Sequence, residues 1–253
     1  VNMFPVWKFF STMWDSEVFD LIPVIVTVGI IAAITVSTLI LQLKGRISIG
    51  KRSIILGFLL CILGLILPDP QFPAKRIHVA EYGFLSLVVR WTMSFRLQGR
   101  ELLVFSACFV SILGVHDELL QGLHPARTYG LRDMAVNSLA GFGGALIWHG
   151  VHLFSRQSPR IFQSSQKGAN LSVAYVGWLL VCVLAFILPL VLYRGGHIPG
   201  WPAMPLIGTA VLFSLYKDQF MDSCKHGVGA LSAVSFALIL YPLINNGKAF
   251  YFY

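Results

Sequence analysis

One stretch of the sequence concentrates groups that can do chemistry: His116, Asp117, Glu118 and Gln121, then His124, Pro125 and Arg127, then Asp133, Asn137 and Gly141. Carboxylates beside an imidazole can hold and pass a proton or hold a hard cation, and a guanidinium fork such as that of Arg127 suits a phosphate or carboxylate. On a helix, Asp117 and Gln121 share a face at i and i+4, and Asp133, Asn137 and Gly141 continue one face at i, i+4 and i+8. An upstream group repeats the pattern, with His78, Glu81 and Tyr82 at i, i+3 and i+4 behind Lys75 and Arg76. Four acids (Glu81, Asp117, Glu118, Asp133) face four permanent cations (Lys75, Arg76, Arg127, Arg132), so the signs balance. Two readings follow. The groups form a self-satisfied network of ion pairs locking helices together, or they form a pocket that binds a headgroup, with Arg127 as the anion ligand and Gln121 and Asn137 setting its pose.

The elements that must position these groups are membrane helices. Of 253 residues, 56% are hydrophobic and 12% charged, and mean hydropathy is +0.74; soluble domains carry about 25% charged residues. Apolar runs predict an all-α, polytopic bundle of about eight spanning segments: 19–43, 53–67, 77–95, 101–123, 131–154, 171–193, 204–216 and 227–244. Costly polar groups within such runs are functional candidates, and Gly141 with Ala145 forms a small-residue row that permits close helix contact. Arg90, roughly 20 Å along a helix from Arg76, reads as snorkelling to the opposite surface.

Residues 1–19 form an aromatic arm with Trp7, Phe10 and Trp14, suited to the headgroup region or to a protein partner. Residues 20–154 make a five-helix membrane domain, 155–170 a polar cytoplasmic linker, and 171–253 a three-helix region ending in Phe250, Tyr251, Phe252 and Tyr253, a second docking candidate. The first apolar run is too long for a signal peptide and lacks a small-residue cleavage site. Cys61, Cys108, Cys182 and Cys224 have neither metal-ligand nor disulfide-framework spacing. His149 and His152 read as an interfacial pair. Neither a metal nor a cofactor is called for, and the net charge of +8 reflects loop asymmetry, with no implication of nucleic acid.

Lys and Arg counts set the orientation. With alternating segments, loops 44–52, 96–100, 155–170 and 217–226 hold eleven of the 19 Lys and Arg residues, and the opposite set, termini included, holds seven. The richer set is expected in the cytoplasm. The polar start of the third segment, the end of the fourth and the start of the fifth then fall together at the outer surface.

The ordered set Lys75-x-x-His78-x-x-Glu81-Tyr82, Asp117-Glu118-x-x-Gln121, Pro125-x-Arg127, Asp133 and Asn137-x-x-x-Gly141 resembles the signature of VanZ-like membrane proteins, a family named for a protein associated with teicoplanin resistance. The resemblance covers roughly residues 41–154, and Ala74 stands where an acidic residue often precedes the Lys. It implies a multi-pass envelope protein of the bacterial cytoplasmic membrane with no settled chemistry. Three functions are open at this point. One is binding of an envelope lipid or glycan headgroup, or of a lipoglycopeptide, through Lys75, His78, Glu81, Asp117, Glu118, Gln121, Arg127, Asp133 and Asn137. The second is an accessory subunit of a larger membrane complex. The third is a lipid-phosphate-modifying enzyme with His78 or Glu118 as general acid or base, a reading weakened by the absence of a Ser or Cys nucleophile in the cluster.

Overall fold

In a computed structural model of the chain, the residues described are 16–43, 50–69, 73–123, 130–154, 166–193, 199–220 and 222–248. They build α1 (Ser16–Leu43), α2 (Lys51–Ile66), α3 (Ile77–Met93), α4 (Gly99–Gly122), α5 (Leu131–Gly150), α6 (Gln166–Leu192), α7 (Met204–Tyr216), α8 (Asp222–Ala237) and α9 (Leu240–Lys248), joined by single 3-10 turns, with no strand among them. Trp7, Phe10, Trp14, His124, Arg127, Phe250, Tyr251 and Tyr253 lie outside the described residues, as does most of the 155–170 linker.

The protein is all-α, but eight crossings are not supported. Among the described residues, three stretches are both long and apolar enough to span: Gly99–Gly122, Ser172–Leu192, and Cys224–Ile244 across α8 and α9. Length and polar load account for α2, α3, α5 and α7. α2 has 16 residues, α3 has 17 and α7 has 13, against about 20 for a full crossing. α5 reaches 20 residues but carries Arg132, Asp133, Asn137 and His149.

Apolar side chains occupy both the outer and the inner faces of the helices. On α6, Val173, Val181, Leu184, Leu188 and Leu192 are exposed, while Leu179, Val183, Phe186 and Leu190 are buried. An apolar stripe turned outward is what a hydrocarbon surround favours, and the interior adds small and polar residues such as Ser106, Asn137 and Ser235 to its apolar core. The interior seam is clearest where α2 meets α5. Gly50, Gly57 and Gly64 recur every seven residues and lie against α5. A Cβ on Gly57 would stand 2.6 Å from the Gly143 carbonyl oxygen, and the Gly50 amide donates to the Gly150 carbonyl at 2.8 Å. At Gly57 no side chain larger than hydrogen fits between these backbones, whereas a Cβ on Gly64 would press first on the Val79 side chain of α3, at 3.2 Å. On the α4 side of α5, Gly141 admits Val110 at 2.6 Å from where its Cβ would be.

α4 is a shared wall. Toward α2, α3 and α5 it contributes Val110 to a core with Cys61, Val79, Val136 and Ile147. Its other face, with Phe105, Cys108, Ile112 and Leu119, packs into a second core with Leu179, Phe186, Leu206, Val228 and Leu231. The C-terminal helices therefore pack on the same helix that carries the acidic pair.

Two local features bear on the site. Arg90 does not snorkel. It is fully buried, and its Nε donates to the Leu153 carbonyl at 2.9 Å. That carbonyl follows the end of α5, between two left-handed residues, His152 (φ 54°) and Phe154 (φ 59°). A helix terminus leaves carbonyls unsatisfied, and a cation there also complements the helix dipole, so Arg90 closes α5 from within. Second, the last apolar run breaks at Leu238–Ile239. Pro242 has no amide hydrogen and its ring crowds the carbonyl four residues back, so the backbone tightens. The amide of Leu238 donates to Ser235, three residues back, and leaves the Val234 carbonyl without its usual partner.

Candidate functional site

The site is built at the end of the bundle where α3 and α5 begin and α4 ends. The antiparallel run of α4 and α5 puts Asp133 near Glu118, and one turn deeper it puts Asn137 beside Gly114, whose carbonyl accepts from Asn137 Nδ2 at 3.4 Å. Gly114 makes this possible: a Cβ there would lie 2.7 Å from the Asn137 Cβ and 3.3 Å from the Tyr82 ring. Asp133 sits in the first turn of α5, where a negative charge is favoured by the dipole.

From the α3 side, Lys75 Nζ donates to Asp133 Oδ2. Its side chain is 34% exposed against 11% for that of Asp133, so the pair links the surface to the interior. His78 Nδ1 and Glu81 Oε2 are 2.9 Å apart. The Tyr82 hydroxyl faces Asp117, and its ring lies 6.2 Å from that of His78. Asp69 pairs with Arg132 at 3.5 Å across an exposed contact. Lys75 thus finds its carboxylate on α5, 58 residues away in sequence.

On α4, Gln121 Nε2 donates to Asp117 Oδ2 at 3.0 Å and stands 3.5 Å from Glu118 Oε1, the outer limit for a hydrogen bond. Glu118 is 1% exposed and Asn137 is fully buried. Glu118 Oε2 and Asn137 Oδ1 have no hydrogen-bond partner. Asp117, Asp133, His78 and Lys75 all lie close enough to Glu118 to act on it electrostatically.

Eight of the nine ligand-binding residues named from the sequence fall in this region, and Arg127 lies outside the described residues. Three further residues belong to it. Tyr82 forms the wall facing Asp117. His116 turns away from the acids: its Nε2 meets the Val234 carbonyl at 2.7 Å, and its Nδ1 meets the Tyr241 hydroxyl at 3.0 Å. That hydroxyl also donates to the His116 carbonyl oxygen at 3.1 Å and lies close enough to Asp117 to feel its charge. His116 and Tyr82 stand within the motifs, but no local spacing could point to Tyr241, which is 125 residues from His116.

The opposite end of α5 holds a different polar group. Trp148 Nε1 donates to the Gly83 carbonyl at 3.1 Å and to Ser86 Oγ at 3.0 Å, beside the Arg90 contact. His149 and His152 have ring centroids 6.3 Å apart. No group of three or more His, Cys, Asp or Glu side chains with metal-holding geometry occurs among the described residues.

The arrangement can bind a polar group that arrives from the membrane edge. Lys75, His78, Asp117 and Gln121 are partly exposed, and Glu118 and Asn137 lie behind them. Comparison of the chain with family models, with curated proteins and with solved structures gives no match.

Proposed function

We propose that this protein is a VanZ-like membrane protein that binds the polar headgroup of an envelope lipid, glycan or lipoglycopeptide at the outer leaflet of a bacterial cytoplasmic membrane. The observation that supports this reading is the concentration of Lys75, His78, Glu81, Asp117, Glu118, Gln121, Asp133 and Asn137 at one end of an otherwise apolar bundle, with part of the set open to the surface. Polar groups at such positions are expensive in hydrocarbon and are retained where they meet a ligand or an ion. Arg127 supplies the anion-binding member, by its chemistry and its place in the motif.

Binding is tested by native mass spectrometry of the full chain released from nanodiscs containing bacterial polar lipids. Saturable retention of a headgroup-bearing molecule at one per chain supports the reading, with at least tenfold loss in Arg127→Ala. Absence of any saturably retained molecule overturns it. Orientation is tested separately. The four cysteines are buried, so a membrane-impermeant maleimide reports introduced cysteines. Ala74→Cys should label from outside and Arg46→Cys from inside; the reverse pattern puts the polar end in the cytoplasm. Cells that express the protein should show raised teicoplanin tolerance if the VanZ-like assignment holds.

A further inference from the structure

The chemistry of the ligand can be narrowed from the atoms that lack partners. At this end of the bundle the two buried side-chain atoms without a hydrogen-bond partner, Glu118 Oε2 and Asn137 Oδ1, are both oxygens. Asn137 uses its only donor group on the Gly114 carbonyl, and Gln121 directs its amide hydrogens toward Asp117 and Glu118. Gly114 and Glu118 are one turn apart on α4, and Asp133 and Asn137 one turn apart on α5, so the two orphans line a single interhelical seam. Unsatisfied acceptors in such a place call for a donor from outside the chain.

Charge points the same way. Lys75 is paired with Asp133, and His78 with Glu81. The two remaining carboxylates, Asp117 and Glu118, are adjacent and take no cation as a partner among the described residues; their shared donor, Gln121, is neutral. An anionic ligand there would add like charge to a buried acid and leave both orphans unsatisfied.

We propose that the seam between α4 and α5 takes a primary ammonium group, held by Glu118, Asn137 and Asp117. This assignment rests on the headgroup reading above and specifies it: the bound headgroup carries an amine. A primary ammonium has three N–H donors and one positive charge. Glu118 Oε2, Asn137 Oδ1 and the Asp117 carboxylate offer three acceptors and the compensating charge. Quaternary amines have no N–H donor and are excluded, and hydroxyl-only headgroups bring no charge.

The probe is lipid of stated headgroup. The full chain is placed in phosphatidylcholine nanodiscs containing either phosphatidylethanolamine or phosphatidylglycerol, and retained lipid is counted by native mass spectrometry. Phosphatidylethanolamine is expected to saturate at one per chain and to be favoured at least tenfold over phosphatidylglycerol. Glu118→Gln should remove that preference at least tenfold, and Asn137→Leu should weaken it. If Glu118→Gln does not fold, Asp117→Asn at the mouth reads the same loss. Free ethanolamine that competes as well as the lipid assigns the amine to a soluble source; failure to compete assigns it to lipid. Retention of phosphatidylglycerol alone, or an undiminished preference in a folded Glu118→Gln, overturns the ammonium assignment and leaves headgroup binding standing. No saturable lipid or ethanolamine binding, in either these nanodiscs or those of bacterial polar lipids, overturns both.

Discussion

The two ends of α5 differ in the kind of polar atom they bury. At its C-terminal end, Arg90 donates to the Leu153 carbonyl and Trp148 donates to Gly83 and Ser86, and the imidazole nitrogen His149 Nδ1 is buried without a hydrogen-bond partner. At its N-terminal end, Glu118 Oε2 and Asn137 Oδ1 remain without donors although both residues are buried. A buried donor that meets a backbone acceptor fixes a helix terminus. A buried acceptor without a donor costs stability and yields nothing until something arrives. Side-chain donors on backbone carbonyls dominate the first end, and two unmet oxygens mark the second, where the proposed ammonium would sit.

Substitutions can break or sharpen that contrast. The largest effect is expected at the closed end, where Arg90→Met strands the Leu153 carbonyl and should lower unfolding free energy by about 3 kcal/mol. Chemical denaturation in detergent checks this, and lipid retention by the remaining folded protein should be unchanged. Next comes Lys75→Met, which leaves Asp133 without its cation. Because Lys75 is one-third exposed, a loss of about 2 kcal/mol is expected, most of it absent in the Lys75→Met/Asp133→Asn double variant. Tyr241→Phe removes a hydroxyl that bridges to α4 and should cost about 1 kcal/mol in thermal unfolding. The smallest effect on stability is expected for Glu118→Gln, neutral or up to about 1 kcal/mol stabilising, since it replaces a buried ionisable group by a neutral one of the same shape. Strong destabilisation by Glu118→Gln, or a mild effect of Arg90→Met, would erase the distinction between the ends.

Helical class and the polar residues that share helix faces were legible in the sequence, because hydropathy and i, i+4 spacing are local properties. The count of spanning helices was not. Runs such as 53–67 and 204–216 have the composition of membrane helices but not the length, and apolarity alone overcounts them. Arg90 was misread for a related reason. A helical rise fixes how far a side chain lies along its own axis, and its acceptor belongs to a residue 63 positions later. The sequence carries no local sign of why position 57 is glycine; only the Gly143 carbonyl of α5 lying against it shows that hydrogen is needed there. Tyr241 had no local mark at all, since its role exists only through the tertiary fold.

The interrupted C-terminal helix has a consequence for the order in which the protein is made. Synthesis runs from the N-terminus, so His116 emerges well before Val234 and Tyr241, the groups that satisfy both of its ring nitrogens. Until the last helices insert, the wall behind Asp117 is unfinished and an imidazole sits beside it with no assigned partner. The amino-acid motif is therefore complete once α5 has been synthesised, but the polar cluster is not: its wall at His116 closes only when α8 and α9 have been made.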